Sequence, residues 1–502
     1  MLKRFIFILF FINFSSISFA LEKCKWNNQK GVPCVTITKT PNTSLYNSLG
    51  VNKKIFTRQQ IIESGATTAV DVLKKVNGLD YYQTGQKGQQ AAIFMRGSES
   101  NHTLVMLNGI AINDQSATNG LHDFGQDFIQ TIQQVEVYKG ANGAHFGPDA
   151  IGGAVNFVTD VDYTNSYSIN GFNFKNNSID YNTTKITDSG WHLNFKGTSN
   201  HSKTDSAKAK GHEADGTKNY QVNLNGNRWL SDNLKLKSTF YYRDTKSDYD
   251  SSDTKEESVT SDNKMYAIQT ILEHKLDNSE SDLKLHYHKY DRNYANDGFF
   301  DEYYSQSMVV RAEHNFANNP ELSFGFGGEY KYDWGNFENR GSYNASTKGH
   351  MKNASIFSNL GYLLNDHQKL SFFLRAEEHN TTSFNKTYKI NFVQLFDKLE
   401  LSGTSSTGLR NPSLYELYGT DNYGIKGNTQ LDPEKSKTNE IKIKYNFNEN
   451  LAVTSTGYKT TIFYRIESNA SYTKHVNLDT DIKQKGLENE ITYRDSSQKI
   501  SF

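Results

Sequence analysis

The feature that most constrains this chain is a two-residue alternation of apolar and polar side chains, which recurs from about residue 161 onward. Between Ile441 and Phe447, for example, every second residue is apolar and the residues between are Lys or Asn. Successive side chains of a strand point to opposite faces, so each such segment predicts a strand with one apolar face. Segments of about ten residues with this period have the length of tilted membrane-crossing strands.

The connections between these segments alternate in length. Short polar turns lie at 231–233, 277–279, 365–367 and 448–450, and long polar loops lie around 200–217, 246–262, 334–350, 411–434 and 467–480. Short turns at one end and long loops at the other are typical of outer-membrane barrels. The alternative, a large soluble β-sandwich or propeller, does not explain this alternation, and no blade-length repeat is evident. We therefore predict an all-β, antiparallel transmembrane barrel.

The composition agrees with this fold class. Lys plus Arg and Asp plus Glu both number 55, so a nucleic-acid partner held by bulk charge is not expected. The mean hydropathy is -0.70, yet the chain has 30 Tyr and 31 Phe. A barrel whose lumen is polar and whose outer face meets lipid combines these properties. After residue 20, no apolar run approaches the ~20 residues of a membrane helix.

The N-terminus reads as a secretory signal peptide. Lys3 and Arg4 precede an apolar run over 5–14, and small residues at Ser18 and Ala20 mark a cleavage site. We expect residues 1–20 to be removed after Ala20; a membrane anchor is the alternative.

The chain that follows divides into three predicted parts. These are a periplasmic segment over 21–49, a compact α+β domain over 50–160, and the barrel over 161–502. In the α+β domain, Thr57 to Gln60 forms a capping-box pattern that opens a helix. A second helix is predicted from an apolar stripe at Ala69, Val72, Leu73 and Val76.

Motifs in the α+β domain share the order and spacing of one family. They are Ile62–Leu73, Phe94–Gly97, Leu107–Gly109, Val135–Gly140 and Phe146–Asn156, with Gly408–Ser413 and Gly427–Ser436 in the barrel. The domain resembles the plug of TonB-dependent outer-membrane receptors. The resemblance implies a plug inside the lumen of a 22-stranded barrel in the outer membrane of a Gram-negative bacterium. It also implies active import of a scarce nutrient, with outer-membrane lipid around the barrel and TonB as the energising partner.

The resemblance assigns structural roles to six plug residues: Arg96, Gly97, Lys139, Gly140, Gly152 and Gly153. The glycines permit tight turns and close approach to the barrel wall. In the family, the corresponding basic residues pair with acids of the barrel, and a buried cation needs such a partner. We expect Arg96 and Lys139 to support the fold rather than to contact substrate.

A segment before the plug resembles the TonB box, which pairs as a strand with TonB: Val35, Thr36, Ile37 and Thr38. This stretch is β-prone, as β-augmentation requires. The only cysteines, Cys24 and Cys34, lie close by. They form a small disulfide loop in an oxidising periplasm or stay as two unpaired thiols. Two cysteines do not make a metal site.

Among the family, the chain looks most similar to vitamin B12 receptors, so cobalamin is the expected substrate and a ferric siderophore the alternative. Those receptors bind calcium through acidic extracellular loops, and calcium needs six to eight oxygen ligands. The matching carboxylates here are Asp205, Glu213, Asp215, Asp244, Asp248 and Asp250. Ordinary solvated loop charge is the other interpretation. Residues 411–434 contain no His, which argues against haem.

The expected substrate site lies between the extracellular loops and the plug loops 81–93 and 112–125. No nucleotide-binding, zinc-hydrolase or serine-hydrolase motif is present, so we do not predict an enzyme. A passive porin or adhesin remains as a rival. We count about 16 complete strands and the start of a seventeenth at Lys499–Phe502. Because unpaired strand edges are not tolerated in lipid, we expect a barrel that is incomplete at its C-terminus or closes with fewer strands.

Overall fold

The computed structural model describes residues 53–173, 176–203, 214–249, 259–296, 299–316, 321–340, 345–382, 384–420, 424–494 and 499–501. The predictions for residues 1–49, which include the signal peptide, the TonB box and both cysteines, lie outside these ranges. So do the candidate calcium ligands Asp205, Glu213 and Asp250.

The N-terminal domain is a small α+β unit, the plug. Its elements are β1 Lys53–Thr57, α1 Arg58–Glu63, α2 Ala69–Leu73, β2 Leu79–Gln83, β3 Ala91–Met95, β4 Thr103–Leu107, β5 Ile110–Ala111, β6 Gln134–Lys139, α3 Gly143–Phe146 and β7 Gly153–Val158. Five strands form a mixed sheet in the order β1-β6-β7-β4-β5, in which only β4 and β7 are parallel. A separate hairpin joins β2 and β3.

Local sequence signals account for helices α1 and α2 of the plug. Thr57 caps α1, and its side chain and that of Gln60 form the predicted capping box, which is confirmed. Helix α2 ends at Leu73, one turn before the end that the apolar stripe predicted. The chain continues in tight turns, in which Val76 N–H donates to the Leu73 carbonyl. Val76 is still buried, because the turn keeps it on the apolar side.

The remaining chain forms one large antiparallel sheet. Its strands are β8 Ser166–Asn173, β9 Asn176–Ile186, β10 His192–Lys203, β11 Gly216–Trp229, β12 Leu234–Tyr249, β13 Val259–Leu276, β14 Ser279–Asn296, β15 Phe299–Phe316, β16 Leu322–Arg340, β17 Ala345–Asn365, β18 Gln368–His379, β19 Asn385–Leu395, β20 Leu399–Arg410, β21 Glu434–Asn446, β22 Leu451–Phe463, β25 Ile482–Arg494 and β26 Lys499–Ser501. Helix α4 (Leu414–Tyr418) and the hairpin of β23 (Ile466–Ser468) and β24 (His475–Asn477) lie in the connections.

This sheet has seventeen strands in the described residues, which agrees with the predicted sixteen and the start of another. Consecutive strands pair antiparallel, from β8 with β9 to β25 with β26. Connections such as 277–278 and 447–450 are short and lie at one end of the sheet, the turn end. The other end, the loop end, carries connections such as 411–433 and 464–481. The predicted loop 334–350 is wrong in its extent, because β16 and β17 continue to Arg340 and Ala345 with polar residues on both faces.

The wall of the barrel surrounds the plug and is apolar on its outer face. Side chains of the plug bond to strands on opposite sides of the barrel: Asp114 to Arg292 of β14, and Arg96 to Glu488 of β25. Outward-facing residues such as Ile441 and Leu487 are 66% and 68% exposed, as lipid-facing positions require. Among the described residues, no helix is both long and apolar enough to cross a membrane.

Candidate functional site

A cavity of about 660 Å³ lies at the loop end, between the plug and the wall. Residues of both predicted plug loops, 81–93 and 112–125, contribute to its lining, and β12 to β15 supply the wall. We call it the loop-end cavity. Its position, above the plug and below the long loops, is the one that the sequence predicted for the substrate.

Tyrosines form one side of the loop-end cavity. Tyr249, Tyr294 and Tyr303 are neighbours, with ring centroids 6.4 Å apart for the first two and 5.8 Å apart for the last two. The Arg292 guanidinium lies 4.8 Å from the Tyr303 ring centre, a cation–π distance. Below them, the buried Tyr290 hydroxyl donates to the Ile112 carbonyl of the plug at 2.8 Å. These rings offer flat apolar faces with polar edges to a ligand.

Two arginines of the wall are tied to aspartates of the plug under the cavity. Arg292 Nε lies 2.6 Å from Asp114 Oδ2, and Asp114 also accepts from the Ser305 hydroxyl at 2.7 Å. Arg243 is paired with Asp127. Buried charges need such partners. The floor of the cavity is therefore held by charge-assisted contacts that leave neither arginine free for an anion.

The lining suits binding rather than catalysis. Its charged side chains are Arg243, Arg292, Asp114, Asp123 and Asp301, beside His122. Asp123 is engaged in the fold, since it accepts from the backbone N–H of Ala91 at 2.8 Å and of Gly125 at 3.0 Å. His122 Nε2 lies 2.6 Å from Asp127. Stacking surfaces and amide or hydroxyl hydrogen bonds are what this cavity offers a ligand.

A second cluster fixes the plug to the opposite wall. Arg96 lies 2.7 Å from Glu440 of β21 and 2.9 Å from Glu488 of β25, and Lys139 lies 2.5 Å from Glu488. The Arg96 guanidinium also stacks 4.2 Å from the Tyr458 ring centre. Burial lowers the pKa of Arg96, but hydrogen bonding to Glu488 and the nearby Glu440 charge outweigh it and raise that pKa. Both cations are thus placed against barrel acids, far from the loop-end cavity.

A third, fully buried cluster joins the plug to the connection after β20. Arg410 binds Glu416 of α4 at 3.0 Å and Glu434 of β21 at 2.8 Å. His102 of the plug lies 2.6 Å from the same Glu434. The Ser413 hydroxyl donates to the Thr118 carbonyl at 2.7 Å. This cluster links a loop beside the cavity to two barrel strands.

The glycines singled out in the plug lie either at left-handed backbone positions or at close approaches. Gly97 and Gly140 have φ of 75° and 78°, which side-chain-bearing residues rarely adopt. At Gly152, an added Cβ would lie 2.1 Å from Ser98 Oγ. At Gly153, it would lie 2.3 Å from the Tyr138 carbonyl oxygen.

The described calcium candidates do not assemble into one ligand set. Asp215 faces the lumen and accepts from Gln89 Nε2 at 3.3 Å. Asp248 accepts from the Gly216 N–H at 3.2 Å, and Asp244 accepts from the Tyr242 hydroxyl at 3.0 Å on the outer side of β12. Over the ranges that the structure describes, no group of three or more His, Cys, Asp or Glu residues could hold a metal ion. The calcium site stays a prediction.

Sequence reasoning missed the partners in these clusters. Asp114, Arg292, Glu440 and Glu488 belong to no recognised motif. The one sequence signal for them was their position in the two-residue alternation, which places the barrel residues Arg292, Glu440 and Glu488 on the lumen face. The cluster of Arg410 and Glu416 had an additional sequence signal. Ser413 and Glu416 have the spacing of a capping box, and the structure shows one.

Comparison with known families covers nearly the whole described chain. Residues 35–154 match the TonB-dependent Receptor Plug Domain, and residues 145–502 match the family described as TonB dependent receptor-like, beta-barrel.

Individual relatives are more distant. The chain is 26% identical over 407 residues to the vitamin B12 transporter BtuB of Photobacterium profundum, covering 78% of this chain and 63% of that protein. It is 37% identical over 125 residues to BtuB of Vibrio vulnificus, 25% of this chain and 20% of that protein. The siderophore receptor PirA from Acinetobacter baumannii has a similar fold, with a TM-score of 0.72, 16% identity, and coverage of 92% of this chain and 80% of that one.

Proposed function

This chain belongs to the TonB-dependent receptor family, and on that premise we propose that it imports cobalamin across the outer membrane. The family is one of outer-membrane transporters and receptors. Its members bind a substrate selectively and then let it pass through the barrel. The chain spans 63% of the length of the first BtuB relative, and its substrate is inferred from the loop-end cavity.

The observation that carries the proposal is the charge balance of the loop-end cavity. Its described lining has two arginines against three aspartates, and both arginines are ion-paired. An anionic iron chelate needs an excess of cationic groups, which this lining does not offer. Cobalamin, a large corrinoid rich in amide groups, fits a polar cavity lined by tyrosines and amides. The similarity to two BtuB proteins supports the same choice.

Transport then requires the plug to open a path through the barrel. We propose that residues 35–38 pair as a strand with TonB, because Val-Thr-Ile-Thr is a β-prone stretch ahead of the plug. Substrate in the loop-end cavity contacts plug loops directly, so its arrival can be sensed by the domain that TonB pulls. No covalent chemistry is needed.

The test combines equilibrium binding with uptake. Purified protein is titrated with cobalamin, haem and a ferric siderophore, each with calcium and with a chelator present, and uptake is followed in cells that lack their own receptor. We expect tight cobalamin binding. Deletion of residues 35–38 should abolish uptake and leave binding intact. Uptake that survives this deletion would indicate a passive pore. Tight siderophore binding without cobalamin binding would show that the substrate is a ferric siderophore and not cobalamin.

A matched pair of variants locates the site. Tyr294→Ala removes a ring from the loop-end cavity and should weaken cobalamin binding about tenfold. Tyr287→Ala, on the outward face of the same strand and 37% exposed, should leave binding unchanged. Equal effects of the two variants would place the substrate elsewhere.

A further inference from the structure

We propose that the outer face of β21, β22 and β25 binds a phosphorylated glycolipid of the outer leaflet. The proposal rests on five exposed lysines that share this face, which we call the lysine patch: Lys435, Lys437, Lys459, Lys483 and Lys485. All five lie toward the loop end of their strands and at outward positions of the period-two pattern.

The pairing of the strands brings these ammonium groups together. Lys459 lies directly opposite Lys485 in the register of β22 and β25. Thr461, the next outward residue of β22, lies between Lys437 and Lys483. Like charges directly opposite each other on one face of a sheet repel, so this arrangement calls for an anion from outside the chain.

Among the described residues, the patch has no internal counter-ion. In the part of the chain that the structure describes, none of the five ammonium groups has a hydrogen bond or an ion pair. The opposite side of the barrel differs. There the outward Lys246 and Lys264 lie 3.7 and 3.1 Å from Asp262, and Lys289 lies 3.7 Å from Asp291. Lys246, Lys264 and Lys289 are therefore neutralised by neighbouring carboxylates, whereas the five lysines of the patch are not.

The height of the patch matches a membrane interface. On β21, the outward residues from Phe447 up to Ile441 are apolar, with Tyr445 and Phe447 at the turn end. From Phe447 to Lys437 is ten residues, or about 34 Å along the strand. At a tilt of about 40° this is about 26 Å across the membrane, close to the ~25 Å apolar band of such barrels. Lys437 therefore lies where the headgroups of the outer leaflet begin, and Lys459 and Lys485 lie in register with Asn439, the next outward residue of β21 toward the turn end.

A groove below the patch offers room for acyl chains. It has a volume of about 930 Å³, and Lys459 and Lys485 lie at its edge. Gly403 and Gly457 open the groove on the outer face; a Cβ on Gly403 would meet no atom within 4 Å. Ile390 and Ile441 line it with apolar surface. Cations above and an apolar groove below match a lipid with a phosphorylated headgroup.

The lipid that combines these features in the outer leaflet is the phosphorylated glycolipid lipid A. Lysines that only extend toward water need no ligand. Such lysines would also have no reason to cluster, whereas here five of them lie on three neighbouring strands. A soluble anionic protein would satisfy the lysines but not the apolar groove beneath them, which lies within the membrane band.

The test is lipid binding to the full chain in detergent, measured by native mass spectrometry and by titration with bisphosphorylated lipid A. The patch variant replaces Lys437, Lys459, Lys483 and Lys485 by Gln. We expect at least about a tenfold loss of apparent affinity. The matching Lys→Arg variant should keep binding, and Lys246→Gln with Lys264→Gln should not change it.

Competition identifies the lipid. Lipid A stripped of its phosphates and phosphatidylglycerol should both compete weakly. Equal losses in the patch variant and the Lys246/Lys264 control would overturn the proposal, and so would full affinity in the patch variant. Equal binding of phosphatidylglycerol would replace the glycolipid by anionic lipid in general and overturn the outer-leaflet assignment. Cobalamin binding should be the same in all variants, which separates this result from that of the proposed function.

Discussion

Single charged residues decide how the plug is held, and Arg96 shows the pattern most clearly. It is buried, and it meets Glu440 and Glu488, which lie 344 and 392 residues further along the chain. The motif around Arg96 could be recognised from the sequence, because its residues are contiguous. Its partners could not, because nothing local distinguishes these two acids from the other lumen-facing acids of the barrel.

Removal of Arg96 should be costly. Arg96→Met takes the guanidinium away from Glu440 and Glu488, whose carboxylates then lack that cation in a buried site. We expect a loss of about 3–5 kcal/mol in the free energy of unfolding, measured by denaturant titration in detergent. Combining it with Glu440→Gln and Glu488→Gln should restore part of this loss. An Arg96→Met variant as stable as the wild type would show that the cluster does not hold the plug.

At the scale of elements, the connection that contains α4 links the wall to the plug. Ser413 caps α4 by accepting from the Glu416 N–H at 3.1 Å, and Glu416 in turn binds Arg410. Leu414 and Leu417 pack against Phe337 and Met351 of β16 and β17. The connection that follows β20 therefore reaches back over the loop end to strands three and four places away in the sheet.

Loss of this cap should loosen the connection. Ser413→Ala removes both the cap and the bond to the Thr118 carbonyl, and we expect a cost of about 1 kcal/mol. Hydrogen exchange of the amides over 414–418 should quicken about fivefold. Ser413→Thr keeps the cap and should exchange like the wild type. Unchanged exchange in Ser413→Ala would mean that Arg410 alone holds α4.

Elements were predictable where one physical rule dominates and not where several compete. The strands beside lipid, such as β21, follow from period two, because every second side chain must be apolar. The upper parts of β16 and β17 have water on both sides, so the pattern is lost there and residues 334–340 read as a loop. Helix α2 ends early because turns after Leu73 bury Val76 equally well. The loop-end cavity was located by its plug loops, but its tyrosines on β14 and β15 carry no sequence signal.

At the scale of the whole molecule, plug and wall share one apolar core. Met265 and Ala267 of β13 and Tyr241 of β12 lie in the same buried cluster as Ile129 and Phe157 of the plug. The opposite wall is joined by ion pairs. The plug is thus held by apolar packing together with the Arg243 and Arg292 ion pairs on the side of β12 to β14, and by the ion pairs of Arg96 and Lys139 on the opposite side.

The shared core can be tested with two methionines. Met265→Ala, at a fully buried position, should cost about 2–5 kcal/mol of unfolding free energy and destabilise the plug and barrel together. Met308→Ala, on the outer face and 55% exposed, should cost about 0.5 kcal/mol or less. Thermal unfolding followed by calorimetry compares them. A plug that unfolds separately in the wild type would contradict a common core.

Strand β1 lies at the edge of the plug sheet and pairs with β6 alone. A force applied to the chain ahead of residue 53 therefore enters the plug through five register pairs, beginning with Lys53 and Tyr138. Its first side-chain anchors are the ion pairs of Lys53 with Glu136 and Lys54 with Glu490. An edge strand can peel away while its neighbours stay paired. We therefore expect traction at the N-terminus to release β1 first, together with its wall contact to Glu490, and to reach the strands inside the plug sheet only afterwards.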